Sequence, residues 1–220
     1  MLPVLALLAA GPPATAADAS ALTREELARL DRGEVVARLV PLPGEAGRSA
    51  RAGLAARVLP SSPERLFRAA ADADHWAEWV PFLERSGRSA EAGGGVSWRL
   101  AFDLPLPLRD RHYRARLGVA RPAGSADGGR WTVSWASVPG SGNVARAAGS
   151  FTLAPRGPGR TLVVFRSATE TGDRTPRFLQ ERALLQSLPW VLDGLRQQAE
   201  RCRYGVPWPD GCREERPGPP

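Results

Sequence analysis

Lysine is absent from this chain of 220 residues, so all 30 basic residues are arginine. An arginine count shaped partly by coding bias says little about a binding surface. The arginines are also scattered, from Arg24 and Arg48 through Arg88 and Arg121 to Arg177 and Arg213, with no run of five or six. Nucleic acid is therefore not an expected partner. The net charge of +7 favours transient contact with an anionic membrane surface in a general way. Histidine is scarce, with only His75 and His112. His75 stands beside Trp76 in a helical turn, and His112 alternates with Tyr113, so it faces outward if Tyr113 faces in. Ser61, Ser141 and Ser150 have no His–acid partners suggested by the sequence, and no Gly-x-Ser-x-Gly occurs. Metal-ligand spacing and a phosphate-binding glycine loop are lacking too, so no metal and no cofactor are implied. There are no internal repeats.

Long hydrophobic runs are also missing. Residues 2–10 are apolar but too few to span a bilayer. Gly11-Pro12-Pro13 breaks the run, and small residues follow at Ala14 to Ala17. This reads as an export signal over residues 1–17, although no basic residue precedes it. No cysteine follows the run, so a lipid anchor is not expected. The only two cysteines, Cys202 and Cys212, flank a turn-rich stretch. A disulfide there would staple the tail to the chain before it and contribute roughly 3 kcal/mol on the chain-entropy view. Both features point to an oxidising compartment, periplasmic or extracellular.

The best-defined element is a helix over residues 175–205. Thr175 can cap it, Pro176 suits its first position, and Gly205 can end it in a left-handed conformation. Phe178, Leu185, Leu188, Leu192, Leu195 and Ala199 form one stripe, widened by Leu184 and Val191. At about 40 Å it is too long and one-sided to stand alone. Pro189 lies inside it and should bend it.

Upstream, Thr23-Arg24-Glu25-Glu26 has the form of a capping box, opening a short helix to about residue 31 that Gly33 stops. Residues 34–40 are β-branched enough for a strand. Pro41-Leu42-Pro43-Gly44 is a turn. Leu54, Ala56 and Val58 alternate with their neighbours as a second strand. Ser62 caps a helix with Pro63 at its first position and Leu66, Phe67 and Ala70 on its buried side. Residues 72–79 form another short helix, which Pro81 ends. Then comes a meander of strands with apolar faces in alternation. One strand carries Val96, Trp98, Leu100 and Phe102; the next carries Tyr113, Ala115, Leu117 and Val119. After a turn at Asp127-Gly128, Trp131, Val133 and Trp135 alternate with polar residues. Ala147, Gly149, Phe151 and Leu153 follow, and a last strand runs over residues 162–165. The class is α+β: a curved antiparallel sheet wrapped around a long C-terminal helix.

That order resembles the helix-grip fold of the START-like (SRPBCC) superfamily. Pro60-Ser61-Ser62-Pro63-Glu64-Arg65-Leu66-Phe67 is similar to the family's opening helix. Trp76, Trp79 and Pro81-Phe82 follow Asp72 as in its "D…W…W-x-P-F" segment. Phe102 to Arg111 is similar to the "D-x-P-x-P-x-x-D-R" stretch of START domains. Gly149-Ser150-Phe151-Thr152-Leu153 and Thr161 to Phe165 resemble its last hairpin, with Phe151 where Trp is usual. His112 follows the Asp-Arg pair where an acidic residue is common. The resemblance spans roughly residues 54–201. It divides the chain into the signal, an N-terminal extension over residues 22–50, a START-like domain over residues 51–205 and a stapled tail over residues 206–220.

The resemblance implies a cavity between sheet and helix that holds a lipid, an isoprenoid or another apolar small molecule. The alternating strands place its wall independently: Trp98, Leu100 and Phe102, then Tyr113 and Leu117, then Trp131, Val133 and Trp135, with Phe151 and Phe165. Leu185, Leu188 and Leu192 would form its lid. Arg111 would meet a headgroup at the rim, although Asp103, Asp110 and Arg111 also suit a simple ion-paired turn. The expected role is carriage or sensing of an apolar ligand in the cell envelope, without catalysis. Two alternatives stay open. A cyclase or dehydratase acting on a polyketide-like substrate would place Tyr113, Arg99 or His75 in the cavity. A scaffold with a filled core would have no cavity.

Overall fold

The computed structural model describes residues 22–41, 51–91, 95–122, 129–171 and 176–205. The expected signal, the turn at residues 42–44, Asp127-Gly128, Thr175 and Cys212 lie outside them. Helix α1 (Arg24–Asp31) opens with the capping box: Thr23 Oγ1 accepts from Glu26 N–H at 3.1 Å, and Glu26 Oε2 accepts from Thr23 N–H at 2.8 Å. Gly33, at φ 85°, turns the chain into strand β1 (Val36–Pro41). Strand β2 (Arg51–Leu59) leads to helix α2 (Pro63–Ala71), capped by Ser62 with Pro63 in its first turn. The short helix expected over residues 72–79 is a 3-10 helix, Ala73–Glu78. Asp72 gives it no side-chain cap.

Seven further elements complete the fold: β3 (Leu83–Ala90), β4 (Val96–Phe102), β5 (Arg111–Ala120), β6 (Trp131–Ser137), β7 (Arg146–Pro155), β8 (Thr161–Glu170) and α3 (Arg177–Glu200). The strands form one antiparallel sheet in the order β1-β2-β8-β7-β6-β5-β4-β3. Strand β3 had no counterpart in the alternation pattern. It is an edge strand reading LERSGRSA, with little apolar surface to reveal it.

Two cores lie on opposite faces of this sheet. The inward row of β2 (Ala55, Leu59) joins Leu66, Phe67, Phe151, Val163 and the buried residues of α3. The outward row (Ala52, Leu54, Ala56, Val58) joins Leu162 and Val164 under α1, with Leu30, Val36 and Val40. Residues 22–41 thus add an edge strand and cover part of the convex face.

Helix α3 is 24 residues, about 36 Å. Its fully buried leucines, Leu188, Leu192 and Leu195, contribute roughly 1.5–3 kcal/mol each by leaving water. The helix runs on through Pro189, whose missing N–H leaves the Leu185 carbonyl without its helical donor. Three details differ from expectation. The first turn has Pro176 at the capping position and no side-chain cap. Phe178 is 66% exposed rather than part of the stripe, because it lies in the first turn, ahead of the part of the helix that meets the sheet. Gly205 has φ −55°, not a left-handed value: the helix has already ended at extended Arg201, followed by a 3-10 turn, Cys202–Tyr204.

Candidate functional site

A cavity of about 920 Å³ opens between the sheet and the N-terminal half of α3. Its floor follows from strand parity. Leu100 and Phe102 on β4, Tyr113 on β5, Trp135 on β6, Phe151 on β7 and Phe165 on β8 all line it. Five of these rings touch in two groups: Trp135 lies 5.8 Å from Phe151 and 5.9 Å from Phe165, and Phe102 stacks on Tyr113 at 6.0 Å and 15°. Gly149 makes room for Trp135. A Cβ there would come within 2.2 Å of the Trp135 ring and 2.6 Å of the Arg166 carbonyl. Trp76 closes the inner wall and is fixed by its Nε1 donating to the Ala70 carbonyl at 2.9 Å. Burial pushes the Tyr113 phenol up, against a bond to the Trp135 indole. It stays protonated and offers a neutral hydroxyl.

Other residues expected in the wall lie elsewhere. Trp98 is held away at the β3–β4 edge: its Nε1 donates to Asp74 Oδ1 at 3.0 Å, and Arg88 stacks 5.8 Å from its ring. Trp131 packs 5.1 Å from Phe67, with Arg121 over both rings. Val133 is buried in the closed core and Leu117 is half-buried against it.

The helix face is also turned. Leu188 and Leu192 are buried in the packed core and Leu185 lies against it, while Leu184, Ser187 and Val191 line the cavity. Gly53 explains the turn. With no side chain there, α3 settles onto β2, and a Cβ would lie 2.9 Å from Leu184 Cγ and 3.1 Å from Leu188 Cδ1. The flank of the apolar stripe, not its centre, faces the space.

Arg111 lines the cavity and is only 6% exposed. It starts β5 directly after the loop joining β4 to β5, and that loop is fastened by hydrogen bonds to its backbone. Asp110 Oδ1 accepts from Leu104 N–H at 3.1 Å, and Asn143 Nδ2 donates to the Asp110 carbonyl at 2.8 Å. Asn143 Oδ1 accepts in turn from His112 N–H at 2.9 Å. Its clamp role was not evident from a turn position alone.

The mouth carries unusual apolar exposure. Leu106, between lining residues Pro105 and Leu108, is 93% exposed, and Trp190 is 53% exposed. Phe82 has φ 63°, which non-glycine residues seldom adopt. Its ring lies 6.0 Å from that of Trp190.

Neither histidine lines the cavity. His75 Nδ1 lies 2.8 Å from Asp72 Oδ2, which also accepts from Tyr204 Oη at 2.9 Å; Gln198 Nε2 donates to Tyr204 Oη at 3.1 Å. Burial, and next the Asp72 charge, push the Tyr204 phenol up. This cluster ties the end of α3 to the 3-10 helix. His112 and Arg99 are exposed. Among the described residues no group of three or more His, Cys, Asp or Glu side chains is placed to hold a metal. No helix among them is long and apolar enough to cross a membrane. No cysteine among them is free.

No family model matches the sequence, and no curated protein matches it at a significant level. Solved structures do. The chain is similar to a STAR-related lipid transfer protein from Xanthomonas axonopodis, with TM-score 0.61 and 19% identity over 75% of this chain and 93% of that one. It is similar to human StAR-related lipid transfer protein 5, with TM-score 0.57 and 11% identity over 80% and 92%. A START superfamily protein from Mycobacterium smegmatis gives 0.52 and 16% over 68% and 97%. The chain has the START-like helix-grip fold.

Proposed function

We propose that this protein binds a hydrophobic small molecule, a lipid or an isoprenoid, between its sheet and α3 and carries it within the cell envelope. The observation that carries the reading is the cavity itself, with its aromatic floor and a mouth that opens beside α3. A closed, filled core is the alternative that this space opposes. Two of the solved structures of this fold are lipid transfer proteins by name, which is consistent with the same use. The reading assigns no catalytic step; of the residues that the cyclase alternative calls for, Tyr113 lines the cavity and His75 and Arg99 do not.

The mouth is where the cargo enters from a membrane. Leu106, Phe178 and Trp190 project apolar surface, and exposed Arg109, in the same loop as Leu106, supplies positive charge. Apolar groups next to arginines suit the interface of an anionic bilayer. The run at residues 2–10 and the pair Cys202 and Cys212 support export and a disulfide in an oxidising compartment.

The test is a native mass spectrum of protein purified from the periplasm, followed by vesicle transfer. A bound mass that leaves on denaturation and fragments as a lipid, together with uptake from phosphatidylglycerol vesicles faster than from phosphatidylcholine, is expected. A bare mass with no uptake from any lipid extract would refute carriage.

A further inference from the structure

The cavity is not uniform along its length. On β8 the inward row reads Val163, Phe165, Ser167, Thr169, so it changes from apolar to hydroxyl within two steps. The strand continues to Glu170, well past the residues whose alternation marks it in the sequence. Across from it, Gln180 and Ser187 of α3 line the same end, as does Thr171 just beyond β8. Thr171 Oγ1 donates to Gln180 Oε1 at 3.4 Å, which joins the strand side to the helix side. A band of neutral hydrogen-bonding groups therefore borders one end of a pocket whose other end is aromatic. From Phe165 to Thr169 is about 13 Å at the rise of a strand.

The charges near the band are of both signs, with Arg51 and Arg111 set against Glu170. Arg177 pairs with Glu181 at 2.9 Å, and Arg111 has its own contact within the protein. Glu170 also lines this end, so an anionic group placed here would meet negative as well as positive charge.

Resting on the carrier reading, we infer that the cargo is an uncharged amphiphile: a single apolar body ending in a hydroxyl or carbonyl group that bonds to the Ser167–Ser187 band. Size argues the same way. A cavity of about 920 Å³ lies in the range of pockets that bury one drug-sized molecule. The aromatic floor takes the body, and the few polar groups at one end set its direction.

The full chain, stripped of cargo, is titrated with oleyl alcohol, oleate and dioleoyl phosphatidylglycerol. Binding is followed by fluorescence of the lining tryptophans and stoichiometry by native mass spectrometry. One oleyl alcohol per chain is expected, with Kd at least tenfold below those of oleate and of the anionic phospholipid. Ser167→Val with Ser187→Ala should weaken the alcohol about tenfold or more, since each hydrogen bond is worth a few-fold. It should not weaken binding of octadecene, a hydrocarbon of similar length, and retained octadecene binding also shows that the variant is folded. Tighter binding of oleate or phospholipid, or an alcohol affinity that the double variant leaves intact, overturns the uncharged headgroup and leaves the carrier standing. Failure of all four probes to bind overturns both.

Discussion

The two halves of α3 are built from similar residues but end in different surroundings. From Leu188 to Ala199 the helix is pressed against α2 and the sheet, with five apolar residues and Gln198 buried. Gly194 lies so close to the Trp79 carbonyl that a Cβ would sit 2.3 Å from it. Before Leu188 no residue of the helix is buried, and Leu184 and Ser187 border open space. The hydrophobic content of a helix thus does not tell where it will pack. Local docking does: a glycine under one turn and an aromatic floor under another decide which part holds the fold and which part roofs a cavity.

That contrast can be broken at the packed half first. Leu192→Ala should cost about 3–5 kcal/mol in urea unfolding, since a buried leucine leaves a cavity that α3 cannot collapse. Ligand affinity should stay within twofold under conditions where the variant remains folded. The two tryptophans sharpen the contrast next. Trp135→Ala should cost about 3 kcal/mol or more and also weaken ligand binding, because the ring forms the floor. Trp98→Ala should lower stability by a smaller amount, through the lost Asp74 bond and packing, and leave ligand Kd unchanged. Equal binding losses in both would place the cargo beyond the cavity seen here. At the junction, Gly53→Ala should cost about 1–3 kcal/mol by lifting Leu184 and Leu188, and should alter ligand Kd as well. The smallest effect lies on the opposite face. Burial works to raise the Glu26 pKa, but the Thr23 amide and Arg38 overcome it and hold it below the usual range. Its stabilising contribution is full above the ordinary carboxylate pKa and fades as pH falls through the lowered native value. Arg38→Met should flatten the acid limb of the stability–pH curve by less than about 1 kcal/mol, since the pair is partly exposed. A limb unchanged from wild type would remove Arg38 as the cause.

Local signals were legible where a few neighbouring residues decide the outcome. The box at Thr23 and Glu26, and the cap at Ser62 before Pro63, act within one turn. Strand parity also placed the aromatic floor on one face. Three things needed the tertiary structure. Strand β3 has no apolar row because its edge position buries little. The face of α3 turned toward the cavity depends on Gly53, more than a hundred residues away in sequence. The hydroxyl band was hidden because the hydrophobic run of β8 finishes at Phe165; following the same parity onward to Ser167 and Thr169 is the signal that finds it.

The polar edge strand has a further consequence. A protein that displays Leu106, Phe178 and Trp190 at an open mouth is at risk of sticking to its own copies. An exposed strand edge would add to that risk by offering unpaired backbone as a template for growth. Strand β3 blunts it with Glu84, Arg85 and Arg88 and with a break in register between Leu83 and Arg85. The residues that make β3 hard to read therefore act as insulation, keeping the sheet from recruiting further strands while the mouth stays available for cargo.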